Sequence, residues 1–219
     1  MVEIPESFYL ISSETPFPSI DIALREPNGL VGIGGELSTQ RLLDAYSKGI
    51  FPWYSDGDPV LWYSPDPRMV ITPESLHISK SLRKAVKSNM FEIRKNCNFS
   101  SVINNCKNIS RPDQPGTWID DKMVKAYTEL HNKGFAHSVE VYERGNLVGG
   151  LYGVALGDVF FGESMFSTSS NASKVALVYL LQNLDYKLID CQVENSHLKS
   201  LGAYNVSRSS FALLLKELL

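Results

Sequence analysis

The chain has 219 residues, 21 Lys+Arg against 24 Asp+Glu for a formal net charge of -3, and 43% hydrophobic against 21% charged residues. That is the composition of a folded protein rather than a disordered one, and its charge argues against a globally basic nucleic-acid coat. Three cysteines, Cys97, Cys106 and Cys191, show neither CxxC nor Cys/His spacing, so no disulfide framework and no metal site are expected. A reducing, cytoplasmic setting follows. The N-terminus lacks a basic segment followed by an apolar run, and no stretch approaches a membrane span, so neither secretion nor membrane insertion is expected.

Residues 1–67 are dense in punctuation, with Pro16, Pro18, Pro27, Gly29, Gly34, Gly35, Gly49, Pro52, Pro65 and Pro67 among them. Such a stretch forms turns and short elements. Its one convincing helix runs from Ser38 to about Lys48, with Ser38 as cap, Leu42, Leu43 and Tyr46 as the apolar stripe and Gly49 as the stop. Gly32-Ile33-Gly34-Gly35 is glycine-rich but follows no strong strand signal, so it is a weak phosphate cradle. The next helix is expected over about Ser75 to Ser88, where Lys80, Arg83, Lys84 and Lys87 recur at i, i+3, i+4 and i+7. This basic stripe is either a solvated face or a polyanion contact, and four like charges without an acidic partner favour the second.

A further amphipathic helix spans about Asp120 to Lys133, with Met123, Tyr127 and Leu130 inward. Strands follow at His137–Tyr142, Leu147–Ala155 and Val159–Phe166, joined by turns at Arg144-Gly145-Asn146 and Gly157-Asp158, which is an antiparallel meander. Then come a helix from about Asn171 to Asn183, a strand from Lys187 to Val193, and a helix from Ser207 onward. The order is that of an α+β protein.

The familiar catalytic motifs GxSxG, HExxH, GxxxxGK[ST] and GxGxxG are absent, and the four histidines are scattered. Alternation along the strand Lys187–Val193 puts Asp190 and Gln192 on one face and Ile189, Cys191 and Val193 on the other. A carboxylate and an amide on a buried strand are either satisfied within the core or face a cleft. Glu163, among aromatics near a strand end, poses the same choice. Trp53, Trp62 and Trp118 lie in loops, where they either plug a small core or stack on a base.

The chain resembles the bacterial leucyl/phenylalanyl-tRNA-protein transferases over nearly its whole length. The runs that carry the resemblance are Arg25-Glu26-Pro27-Asn28-Gly29-Leu30, Gly49-Ile50-Phe51-Pro52-Trp53, Trp62-Tyr63-Ser64-Pro65-Asp66-Pro67-Arg68, Glu74-Ser75-Leu76-His77-Ile78-Ser79, Gly162-Glu163-Ser164-Met165-Phe166-Ser167, Asn171-Ala172-Ser173-Lys174 and Leu188-Ile189-Asp190-Cys191-Gln192-Val193. The resemblance implies a small N-terminal α/β domain at residues 1–67 and a GNAT-like acyltransferase domain at 68–219, with a central, mostly antiparallel sheet. It implies an enzyme that moves Leu or Phe from aminoacyl-tRNA to the N-terminal α-amine of proteins beginning with Arg or Lys, feeding N-end-rule degradation. No cofactor is implied.

By the family pattern Trp53 and Trp118 flank the terminal adenosine, Tyr46 and Tyr127 line its neighbourhood, and Phe160, Met165, Leu151 and Leu180 form the pocket for the transferred side chain. Where the family has Met and Phe, Leu151 and Leu180 stand here. Asp190, Gln192 and Glu163 are the expected catalytic residues: Gln192 accepts a hydrogen bond from the attacking amine, Asp190 orients and polarises it, and Glu163 binds an amine. Lys80, Arg83, Lys84 and Lys87 are expected to contact tRNA phosphates. A coenzyme A-dependent N-acetyltransferase is the rival, and a non-catalytic tRNA-binding module a second alternative. The junction Ser167-Thr168-Ser169-Ser170-Asn171-Ala172-Ser173-Lys174 carries no pyrophosphate-loop glycine, so coenzyme A is not expected as a partner.

Overall fold

The computed structural model describes residues 9–109 and 118–219. In chain order the elements are β1 (Leu10–Ile11), β2 (Leu30–Gly34), α1 (Thr39–Ser47), β3 (Phe51–Pro52), β4 (Leu61–Tyr63), β5 (Arg68–Ile71), α2 (Lys80–Lys87), β6 (Glu92–Lys95), α3 (Phe99–Asn108) and α4 (Asp121–Asn132). They continue with β7 (Ala136–Glu143), β8 (Asn146–Leu156), β9 (Val159–Ser167), α5 (Ala172–Asn183), β10 (Leu188–Gln192), α6 (Ser196–Lys199), β11 (Tyr204–Val206) and α7 (Arg208–Leu218). The first four strands make one sheet in the order β1-β2-β4-β3, and the other seven a second in the order β11-β5-β10-β9-β8-β7-β6. In the larger sheet only β9 and β10 run parallel.

Helix starts follow from capping chemistry. Ser38, Ser79, Asp120 and Ser207 each accept a backbone N–H in the first turn of α1, α2, α4 and α7, satisfying a donor that the helix itself cannot. The Ser79 cap explains why α2 begins at Lys80 instead of Ser75. Upstream of it, Thr72 and Ser75 form a hydrogen-bonded turn and the His77 N–H pairs with the Leu201 carbonyl. Asn171, at the head of α5, is left-handed with φ 66° and makes no side-chain cap bond. The glycines of β2 serve packing: a Cβ at Gly32 would lie 2.4 Å from the Ile11 side chain.

Period-two alternation sorts the larger sheet's residues into two cores. Met69, Ile71, Leu151, Phe160 and Ile189 join α2 and α5 on one side. Val70, Tyr152, Phe161 and Leu188 join α1, α3, α4, α7 and the smaller sheet on the other. The sheets divide between Tyr63 and Arg68, while this second core runs across the division. Helix α5 has little amphipathic contrast because it is buried nearly all round, with Val175, Ala176, Leu177, Val178, Leu180 and Leu181 inside.

Two of the interruptions in register bear on the cavity described below. Between β8 and β9 the pairing runs from Tyr152↔Ser164 to Gly153↔Gly162, leaving Glu163 as the extra residue. Between β10 and β5 it runs from Asp190↔Val70 to Gln192↔Met69, leaving Cys191 extra. Bulges of this kind re-aim side chains and end regular pairing. The β9–β10 ladder extends only to Phe161↔Asp190, so Glu163 and Gln192 lie where the two parallel strands part.

Candidate active site

A cavity of about 380 Å³ opens at this parting. Its wall includes Trp53 and Trp118, the apolar side chains Leu151, Phe160, Met165, Leu177 and Leu180, and the polar groups Glu163, Asp190, Cys191 and Gln192. The indoles are supplied by loops, Phe160, Glu163 and Met165 by β9, Leu151 by β8, and Leu177 and Leu180 by α5. Trp53 is 40% exposed and packs edge-on against Tyr63, with ring centroids 5.6 Å apart. A part-exposed indole in the cavity wall can stack on a flat ring.

Asp190 is fully buried and neutralised. The Arg68 guanidinium, itself 1% exposed, donates from Nε to Oδ1 at 2.8 Å and from Nη2 to Oδ2 at 2.6 Å. Its remaining nitrogen, Nη1, donates to the Gly49 carbonyl at 3.0 Å, and its faces lie against Phe51 and Phe211 at 4.8 and 4.5 Å. Each of the three guanidinium nitrogens thereby has an acceptor. Asp190 Oδ1 also accepts the backbone N–H of Gln192 at 2.9 Å. That bond holds Gln192 in the left-handed region, with φ 64°, a conformation that costs a non-glycine residue free energy unless its surroundings fix it.

Asp190 therefore bonds the Gln192 backbone and not its side-chain amide. The amide is oriented instead by Glu163, whose Oε1 accepts from Gln192 Nε2 at 3.1 Å. With Nε2 committed, Gln192 Oε1 has no hydrogen-bond partner among the described residues, and Gln192 lines the cavity. The Glu163 carboxyl is also within hydrogen-bond distance of Tyr46 Oη, at 2.7 Å from Oε1, and of Tyr127 Oη, at 2.9 Å from Oε2, and the two phenol oxygens touch each other. Burial raises the Glu163 carboxyl to about 7, the phenol bonds pulling the other way and the Asp190 charge adding to the rise. Burial, then the Glu163 charge, push both phenols well above the usual tyrosine range.

Tyr46 and Tyr127 are fully buried behind Glu163 and do not form the cavity wall. Lys80, Arg83, Lys84 and Lys87 also lie outside the cavity. They are exposed on α2, whose Leu82 is buried in the same core as α5, and none of the four joins an ion pair among the described residues. Sequence reasoning missed Arg68, Leu177 and Ile189. The signal for Arg68 was a lone cation heading the apolar run Met69-Val70-Ile71, which needs a buried partner.

The wall orients and hydrogen-bonds, but it presents no activated nucleophile among the described residues. Burial, and then the Asp190 charge, push the Cys191 thiol up, out of the range of a reactive thiolate. Such a site suits direct transfer of an already activated acyl group between two bound substrates, which defines the class as an α+β acyl-transferring enzyme. A family model of the leucyl/phenylalanyl-tRNA protein transferases matches residues 70–216, and the model of that family's N-terminal domain matches residues 35–66. The chain belongs to the leucyl/phenylalanyl-tRNA-protein transferase family, whose members are aminoacyltransferases.

Among its relatives, the leucyl/phenylalanyl-tRNA-protein transferase of Nitrosospira multiformis is 54% identical over 95% of this chain and 90% of that one. That of Hydrogenovibrio crunogenus is 49% identical over 98% and 85%. Similar solved structures include FemX, at 8% identity and TM-score 0.48 over 77% of this chain and 66% of that one. A GCN5-related N-acetyltransferase from Kribbella flavida is similar at 9% identity and TM-score 0.38 over 75% and 60%. No helix among the described residues is long and apolar enough to cross a membrane.

Proposed function

We propose that this enzyme moves Leu or Phe from the acceptor end of aminoacyl-tRNA to the α-amine of proteins that begin with Arg or Lys, in the cytoplasm, without coenzyme A, and so marks them for N-end-rule degradation. The observation that carries the mechanism is the Gln192 carbonyl, which has no partner among the described residues while Glu163 holds the amide nitrogen. An α-amine has a pKa of about 7.7 to 8.0, so a fair fraction is neutral near pH 7 and no strong base is required. The amine approaches the ester carbonyl while Gln192 Oε1 accepts one of its N–H groups, which fixes the direction of attack. The new C–N bond forms, the ester C–O bond breaks, and the amine proton leaves to the ribose oxygen.

The other roles follow from position. Trp53 and Trp118 stack on the terminal adenine, and Leu151, Phe160, Met165 and Leu180 receive the leucyl or phenylalanyl side chain. Asp190 is a positioning residue acting through the Gln192 backbone, and Glu163 receives an amine. Lys80, Arg83, Lys84 and Lys87 meet acceptor-stem phosphates, a role that suits exposed cations on one helix face with no ion pair among the described residues. The glycine-free turn before α5 supports the reading without coenzyme A. The deciding assay is transfer of labelled leucine from Leu-tRNA to a peptide beginning with Arg. Transfer is expected, whereas acetylation from acetyl-coenzyme A, or tRNA binding without transfer, would replace this reading.

A further inference from the structure

Four oxygens meet at the cavity wall and behind it: Tyr46 Oη, Tyr127 Oη and the two carboxyl oxygens of Glu163. Tyr46 lies 2.7 Å from Oε1, Tyr127 lies 2.9 Å from Oε2, and the phenol oxygens lie 2.5 Å apart. Hydrogen bonds need one proton per contact, and the two phenols carry only two for these three contacts. With Glu163 ionised, one pair of oxygens would face each other without a hydrogen between them, buried and away from water. A third proton, on the carboxyl, completes the set. Oε2–H then donates to Tyr127, Tyr127 donates to Tyr46, Tyr46 donates to Oε1, and Gln192 Nε2–H donates to Oε1 as well.

The surroundings favour the same state. Facing Glu163 are Tyr46 from α1, Tyr127 from α4, and Asp190 and Gln192 from β10, while Tyr152 of β8 lies near both phenols. The cation nearest in the network, Arg68 of β5, directs all three of its nitrogens to Asp190 and Gly49. Among the described residues no cation pairs with Glu163. A buried carboxylate without a counter-ion takes up a proton.

We propose that the resting enzyme holds Glu163 as a neutral carboxylic acid that closes a hydrogen-bonded ring with Tyr46 and Tyr127, and that an ammonium ligand docking there expels that proton, so binding is coupled to proton release. The balance is a carboxyl and a primary ammonium going to a carboxylate–ammonium pair and one proton delivered to buffer. No bond other than O–H breaks. The ligand class is a primary ammonium beside an acyl group, and this part rests on the reading that Glu163 receives an amine. The ring itself does not.

Two measurements on the full chain separate these parts. In enzyme labelled with 13C at the glutamate carboxyls, one side-chain resonance should titrate near neutrality, away from the acid range of the others, and Glu163→Gln should remove it. All resonances titrating in the acid range would overturn the ring. Calorimetry at pH 6 with 3′-leucylamino-3′-deoxyadenosine, in two buffers of different ionisation heat, should show release of close to one proton per ligand. Glu163→Gln, which keeps the size and donor–acceptor pattern of the neutral acid, should release none. Tight binding to the wild-type enzyme without proton release, or release that persists in Glu163→Gln, would overturn the coupling. Absence of binding to the wild-type enzyme would overturn the coupling together with the amine-site reading, while the titration still decides the ring.

Discussion

Replacing Arg68 by Met tests whether the buried ion pair positions the site. The guanidinium supplies two of the three hydrogen bonds that Asp190 accepts, and the substitution leaves a carboxylate with no solvent exposure holding only the Gln192 N–H. Breaking a buried pair by removing one partner costs about 3–5 kcal/mol, because the remaining charge is stranded. The Gly49 carbonyl loses its Nη1 donor as well, a cost that overlaps the first rather than adding to it. For a chain of this size about 4 kcal/mol corresponds to a fall in Tm of roughly 8–16 °C.

The pH dependence supplies the sign. In Arg68→Met a buried carboxylate is left without its counter-ion, which disfavours the charged form, so the variant's deficit is smallest in acid and grows as pH rises. Asp190→Asn added to Arg68→Met removes the stranded charge and should restore much of the loss at pH 8. The assay is urea denaturation from pH 4.5 to 8.5 of the wild-type, both single variants and the double variant, with transfer kinetics alongside. A loss below about 1 kcal/mol at pH 8, or one that does not change with pH, would refute the account of Asp190 as a charge held only by Arg68.

Glu163 gives an independent stability prediction of known direction. Its pKa rises from 4.5 unfolded to about 7 folded, so the protonated form is favoured in the native state and that stability is lost as pH rises through 7. The wild-type enzyme should lose roughly 3 kcal/mol relative to Glu163→Gln between pH 4.5 and 8, and parallel denaturation midpoints across that range would contradict it. Gln192→Ala should lower kcat by on the order of a hundredfold with little change in the KM for aminoacyl-tRNA, a steady-state measurement in which unchanged kcat removes the amide from the mechanism. Reversing Lys84 and Lys87 to Glu should raise the KM for aminoacyl-tRNA and reduce its logarithmic salt slope by about 2, leaving affinity for an aminoacyl-adenosine analogue unchanged. Equal loss for the analogue would place the stripe elsewhere.

The sequence by itself determined the local elements whose causes are local. Ser38, Asp120 and Ser207 mark helix starts because a side-chain oxygen reaches only the next few backbone N–H groups. The β7–β8–β9 meander was legible because tight turns at Arg144-Gly145 and Gly157-Asp158 fix its pairing. Helix α3 escaped notice although Phe99, Val102, Ile103 and Cys106 fall at helical spacing, because serine and asparagine fill the positions between them. The residues Asp190, Gln192 and Glu163 were visible as polar groups on apolar strands, but their relations were not. Simple alternation put Asp190 and Gln192 on a shared face, whereas the bulge at Cys191 and the left-handed turn at Gln192 break that alternation, and Asp190 bonds the neighbouring backbone. Only the tertiary structure joined Arg68 to Asp190 and Tyr46 and Tyr127 to Glu163, across 122, 117 and 36 positions of chain. Such pairs are chosen by burial, which leaves each polar group only the partners that the packed strands and helices bring within reach.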